Sequence, residues 1–319
     1  MSPRKKMTIL IVAILAWTSI VLVLPVPHST ITIGVIQTAS HPALDAVRTN
    51  MLTTLKEKLG TQMHSINYNA EGMLPLAEGA AKSLHSKNHI SAIVTIGTLA
   101  TQAMTRTESV TPIVFSAVSD ISSLHIAHSN VCGMSDGIHS DYVINSVQKL
   151  LPNAKKIALV YNPSEANSAA SVSQLRESIQ KSGLSSLCCG VTSEVDCLHA
   201  TRSACQQADV VVVPQDNTVA SALPQVAKEA LRAKKPLIIC YKTQLMSGVF
   251  AALGASYEEI GRQTANMVLE IVLSKKSPEQ LSVQMAPASS IKIHRSTAEH
   301  LGIIIPQELL PTIEWEDSL

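Results

Sequence analysis

Polar side chains able to hold a small zwitterion recur in short clusters along the chain. They are Ser119-Asp120, the run Ser164-Glu165-Ala166-Asn167-Ser168, and Asp216-Asn217-Thr218. A carboxylate at Asp216 could face an ammonium. The other reading of that position is an Asx-turn or a helix cap, which Asp-Asn-Thr before Val219 also satisfies. Thr98 follows a glycine at the expected start of a helix, where a hydroxyl and free N–H groups suit a carboxylate. A plain N-cap, worth ~1 kcal/mol, is the alternative there. Asp120 and Glu165 are further acids, and Glu165 could simply stabilise a helix N-terminus. Asn167 and Ser168 either reach a ligand or only form the first turn of the helix that follows.

Catalysis would need more than these groups. His41 as a base requires a nucleophile and an orienting partner. Ser40 is adjacent but lies in no G-x-S-x-G pattern. Capping a helix or lining a cleft is the better reading of His41. There is no G-x-G-x-x-G and no P-loop, so no nucleotide cofactor is expected. Six cysteines stand at 132, 188, 189, 197, 205 and 240, with no C-x-x-C pair and no zinc spacing around His199. No metal is expected. One disulfide within the 188–205 cluster is conceivable, though Cys197 and Cys205 cannot pair if one straight helix carries both.

These groups fall where strands end. Strand-like runs alternate with helix-like segments: strands at Ile31–Ile36, Met63–Tyr68, Ile90–Ile96, Ile113–Ala117 and Val131–Met134, with helices at Pro42–Lys58, Leu74–Ser86 and from Leu99. A second series starts at Lys155. It has strands at Ile157–Tyr161, Ser186–Val191, Ala208–Pro214 and Pro236–Cys240, and an extended piece at Gly248–Leu253. Its helices are Glu165–Ser182, Val195–Gln207, Val219–Ala233 and Tyr257–Leu273. Such alternation implies an α/β fold of two doubly wound parallel-sheet lobes joined by crossing strands. Residues 28–135 with about 254–280 are expected to form the first lobe, and 136–253 with about 286–319 the second. Leu281–Met285 is expected as a crossing strand and Arg295–Leu301 as a helix.

In open parallel sheets, ligands bind beyond the carboxyl ends of the strands. Those turns hold Gln37 to His41, Gly97-Thr98, Ser119-Asp120, Asn162 to Ser168, Gln215 to Thr218, and Tyr241-Lys242. Phe115, Tyr161, Tyr241 and Phe250 are candidates for apolar walls, with core packing as the other reading of each.

Composition narrows the class. With 46% hydrophobic and 15% charged residues the 319-residue chain is globular. Only 3% is aromatic, so Ala, Val, Ile and Leu must do the packing, as in buried parallel strands. A net charge of +1 offers nothing to nucleic acid. Arg4, Lys5 and Lys6 precede an apolar run from Met7 to about Val26, which reads as an export signal or an uncleaved anchor. The body is therefore expected outside the cytoplasm, in the periplasm or on the outer face of the cytoplasmic membrane.

Five motifs in order resemble one family. They are Ile33-Gly-Val-Ile-Gln-Thr-Ala-Ser-His-Pro-Ala-Leu-Asp45, Thr111-Pro-Ile-Val-Phe-Ser-Ala-Val-Ser-Asp120, Tyr161-Asn-Pro-Ser-Glu-Ala-Asn-Ser168, Pro214-Gln-Asp-Asn-Thr218 and Gly254-Ala-Ser-Tyr-Glu-Glu-Ile-Gly261. The chain resembles the substrate-binding proteins of ABC transporters, of the tryptophan/tyrosine type. That resemblance implies a type I periplasmic-binding-protein fold closing on a small amino-acid ligand, often aromatic. It implies delivery to a membrane permease driven by a separate ATPase. Its cleft motifs fall on Gln37, His41, Thr98, Ser119, Asp120, Ser164 to Ser168, Asp216, Asn217 and Thr218. Ile121 and Leu99 stand where the family has proline, and its lipid-attachment cysteine is missing.

The leading reading is a monomeric solute-binding protein. The first lobe takes a carboxylate at Thr98, Asp216 takes the ammonium, and the lobes close by a hinge. A membrane-tethered ligand sensor is the alternative. An enzyme acting on a small polar substrate is a further one, without a recognisable catalytic constellation.

Overall fold

A computed structural model describes residues 30–124, 126, 128–286 and 290–317. The expected export signal lies outside the described residues. Residues 31–319 form one unit built on two sheets. The chain begins with β1 (Ile31–Gln37), α1 (Pro42–Leu59), β2 (Met63–Asn69), α2 (Leu74–His85), β3 (Ala92–Ile96), α3 (Thr98–Thr107), β4 (Ile113–Ser116) and β5 (Val131–Ser135). After α4 (Ser140–Leu150) come β6 (Lys156–Tyr161), α5 (Ala166–Lys181), β7 (Ser185–Gly190), α6 (Glu194–Gln207) and β8 (Val210–Val213). Then follow α7 (Asn217–Ser221), α8 (Leu223–Arg232), β9 (Leu237–Ile239) and β10 (Ala251–Ala252). The chain ends with α9 (Tyr257–Val272), β11 (Gln284–Met285), β12 (Ile291–His294), α10 (Arg295–Leu301) and β13 (Ile313–Glu316).

The first sheet has the order β11-β5-β4-β3-β1-β2 and is parallel throughout. The second has the order β13-β12-β10-β9-β8-β6-β7. The central strands β3, β4, β8 and β9 are buried along their whole length. Their Val/Ile-rich sequences suit a sheet covered on both faces. The edge strands β2 and β7 are half exposed, and their Ser, His, Asn and Cys content fits that position. α9 packs on α1 so closely that a Cβ on Gly261 would meet the Val47 carbonyl oxygen at 2.5 Å.

Three expectations change. Val219–Ala233 is two helices, because Pro224 cannot continue a helix and instead opens α8 after Ala222. Leu281–Met285 shortens to β11, which pairs with β5 at the edge of the first sheet. β12 runs antiparallel to β10. The chain re-enters the second lobe from the cleft, where the parallel strands end, so its next strand must run the other way. All six cysteines are free, with Cys197 and Cys205 buried together on α6. Phe115 and Phe250 are fully buried core residues, and Tyr161 packs against the core of the second lobe, so none of them is a cleft wall.

Candidate functional site

The turns at the strand ends of both lobes face one another across a cleft of about 810 Å³. From the first lobe it is lined by Thr38, by Glu71, Gly72 and Leu74 at the entry to α2, and by α3 from Thr98 to Arg106. From the second come Asn162 to Asn167, Thr192 to Val195, and the start of α7. Behind it is a small inner chamber of about 20 Å³, sharing Thr98, Asn167 and Asn217 with the cleft.

The floor on the first lobe is the N-terminus of α3. Gly97 holds the N-cap position with φ +88°, and a Cβ there would meet Thr38 Oγ1 at 2.6 Å. Only glycine fits this turn without strain. Thr98 is thus the first helical residue and makes no side-chain cap, contrary to the plain-cap reading. The Ala100 N–H is taken by Thr38 Oγ1 and that of Thr101 by the Gly97 carbonyl. The N–H groups of Thr98 and Leu99 precede any intrahelical acceptor and carry the positive end of the helix dipole.

On the second lobe, two carboxyls organise the polar turns, the half-buried Glu165 and the buried Asp216. Glu165 accepts from the backbone and side chain of Asn217 at 3.0 and 2.7 Å, and from those of Thr218 at 2.8 and 2.7 Å. It therefore clamps the start of α7 rather than its own helix. Asp216 caps α7 through the Val219 N–H at 2.8 Å. Its other oxygen accepts from the Asn162 N–H and the Ser168 hydroxyl, both at 2.6 Å. Burial, and next the nearby Glu165 charge, push the Asp216 carboxyl above the usual carboxylate range.

The sequence-derived site residues divide into four groups. Ser164, Glu165 and Thr218 line the outer cleft. His41, Ser119, Asp216 and Tyr241 line the inner chamber, and Thr98, Asn167 and Asn217 line both. Gln37, Asp120 and Ser168 line neither. Gln37 donates to Asp45 at 2.8 Å and accepts from Arg48 at 2.9 Å, ordering the start of α1. Asp120 forms an Asx-turn with Ser122, and Ser168 is buried against Asp216. Thr38 and Asn162 also line the cleft, and Asp136, Gln215 and Tyr257 the inner chamber. The first two and Gln215 sit in strand-end turns already visible in the sequence. Asp136 and Tyr257 are placed only by the crossings, where the Tyr257 hydroxyl donates to the wholly buried Asp136 carboxyl.

The lobes touch behind the cleft. His41 Nε2 meets Asn217 Oδ1 at 3.1 Å, and Gln215 Nε2 donates to the Asp136 carbonyl at 3.1 Å. The family model of the ABC transporter substrate binding protein matches residues 32–314. The chain belongs to this ABC transporter substrate-binding family. It is 30% identical over 281 residues to the tyrosine-binding protein of Clostridioides difficile (strain R20291), covering 85% of this chain and 81% of that protein. Among solved structures it is similar to the ABC domain in complex with L-Trp from Streptococcus pneumonia. The identity there is 27%, the coverage 90% and 99% of the two chains, and the TM-score 0.83. A ligand-free, open structure of a substrate-binding protein with adhesive properties from Clostridium difficile is 29% identical over 90% and 99%, with a TM-score of 0.67. At similar identity, this ABC substrate-binding chain overlays better on the L-Trp complex than on the open form.

Proposed function

We propose that the chain binds a free amino acid, with aromatic ones among its ligands, in the interlobe cleft and delivers it to an ABC permease outside the cytoplasm. The observation that carries this reading is the pairing of the free α3 N-terminus at Thr98 with the Asp216 carboxyl across the chamber it shares with the cleft. The carboxylate of the ligand sits on the Thr98 and Leu99 amides. Its ammonium turns toward Asp216. The side chain lies outward against Leu74, Leu99, Ala166 and Val195, which line the cleft. No aromatic ring lines the outer cleft among the described residues, so an aryl side chain would rest on aliphatic walls. The names of the relatives that bind tyrosine and L-Trp support the ligand class.

A thermal-shift screen of the purified protein against the twenty amino acids tests this. A ligand at 100 times its Kd adds about 2.7 kcal/mol of stability. We expect a selective shift with L-tyrosine or L-tryptophan, reduced in Asp216→Asn. Shifts with sugars but with no amino acid would overturn the reading.

A further inference from the structure

The seam between the lobes holds two buried polar atoms that no protein atom reaches among the described residues. They are Nδ1 of His41, on the first lobe, and the hydroxyl of Tyr241, on the second. Both residues line the inner chamber.

The state of His41 follows from its neighbours. Asn217 Nδ2 donates to Glu165 at 2.7 Å, which turns Asn217 Oδ1 toward His41 Nε2. An amide oxygen only accepts, so Nε2 carries the imidazole proton. Burial lowers the imidazole below its ordinary value, against the opposing pull of Asn217, Asp45 and Glu165. The ring is therefore neutral near pH 7, and Nδ1 presents a bare lone pair.

Four side-chain donors around the chamber are engaged within the protein. Ser119 donates to Asp136 at 2.9 Å, and so does the Tyr257 hydroxyl. Gln215 donates to the Asp136 carbonyl, and Asn167 to the Gln215 carbonyl at 2.8 Å. The group that lacks a donor is the His41 lone pair, and the unpartnered Tyr241 hydroxyl can act either way. The chamber's volume of about 20 Å³ exceeds the ~10–15 Å³ that one water needs and leaves no room for a side chain.

We propose that the inner chamber is a donor-selective subsite, taking one N–H or O–H group between His41 Nδ1 and the Tyr241 hydroxyl. Two sources supply that chemistry: the ammonium of an amino acid in the adjoining cleft, or a single water bridging the lobes. The ammonium case rests on the reading of the cleft given above; the water case does not.

Tyr241→Phe removes the hydroxyl and keeps the ring. Its Tm without ligand, and its affinities for L-tyrosine and for the desamino analogue 3-(4-hydroxyphenyl)propanoate, separate the outcomes. If water fills the site, the ligand-free variant melts about 2–4 °C below wild type, with both affinities little changed. If the ammonium fills it, the ligand-free Tm is unchanged or raised. L-tyrosine then binds about tenfold or more weakly, while the analogue binds as before. A Tm unchanged or raised together with unchanged affinities overturns the proposal. Nitrogen-15 NMR of His41 gives a readout that needs no amino acid. It should show the Nε2–H tautomer with Nδ1 in a hydrogen bond, in the ligand-free protein for water and only with L-tyrosine present for the ammonium. A free Nδ1 lone pair in both states overturns the proposal. Should no amino acid bind at all, the cleft reading fails, and the ligand-free Tm and NMR alone decide the chamber.

Discussion

Asp216 is the residue to which the proposed function assigns the ligand ammonium. Its carboxyl is raised above the ordinary 3.8 by burial and then by Glu165, so part of the ligand-free protein holds this proton near neutral pH. An ammonium beside it favours the ionised form. Affinity for an amino acid should therefore fall as pH drops through the raised value, and binding near neutrality should release protons. Calorimetry in buffers of different ionisation enthalpy measures that release; a buffer-independent heat would remove Asp216 from the ammonium. In the ligand-free chain the sign is opposite. The raised carboxyl contributes stability that is fully present below 3.8 and is lost as pH rises through its folded value. That Asp216 and Thr98 come together around the inner chamber was legible in the sequence, because the turns after parallel strands gather at one end of each sheet. Gln37 sits in such a turn too. Its amide is captured by Asp45 and Arg48 on the first turns of α1, a competition that no local pattern reveals.

Elements hold these residues in place through a few close approaches. Gly97→Ala would force a Cβ against Thr38 and occupy a φ of +88°. We expect a loss of ~1–3 kcal/mol in denaturant titration, together with weaker ligand binding, since the α3 N-terminus must move. A variant as stable as wild type would show that the turn tolerates a side chain. On the second lobe, Glu229 of α8 accepts from Arg232 at 2.6 Å and from Arg202 of α6 at 3.0 Å. Arg232 first, and then Arg202, depress its carboxyl to about 2. That contribution is present above the ordinary 4.5 and is lost as pH falls toward 2. Both arginines are partly exposed, so Glu229→Gln should cost only about 1 kcal/mol at pH 7. The difference from wild type should vanish in acid unfolding at pH 2; a difference that persists there would assign the loss to packing. The alternation of strands and helices was readable from apolar runs and periodicity. The break between α7 and α8 was carried by Pro224 alone. The antiparallel β12 follows from where the chain re-enters the lobe, which is a property of the tertiary path.

At the scale of the molecule, the site exists only when both lobes contribute to it. His41 and Asn217 meet across the seam although they are far apart in sequence. Asp136 and Tyr257 depend on crossings between the lobes, which is why neither was evident as a site residue in the sequence. A hinge at those crossings predicts a smaller radius of gyration in solution scattering when ligand is added. An unchanged value would mean that the ligand binds without closure. The proposed function requires the cleft to hold an amino acid by its two charged ends. Calorimetric titration of wild type and Asp216→Asn with L-tyrosine, alongside its desamino analogue, addresses it most directly. We expect saturable one-to-one binding of L-tyrosine to wild type, weakened about 10- to 100-fold in the variant, with the analogue binding both proteins alike. Equal affinity of both proteins for L-tyrosine, or tighter binding of the analogue than of the amino acid, would contradict it.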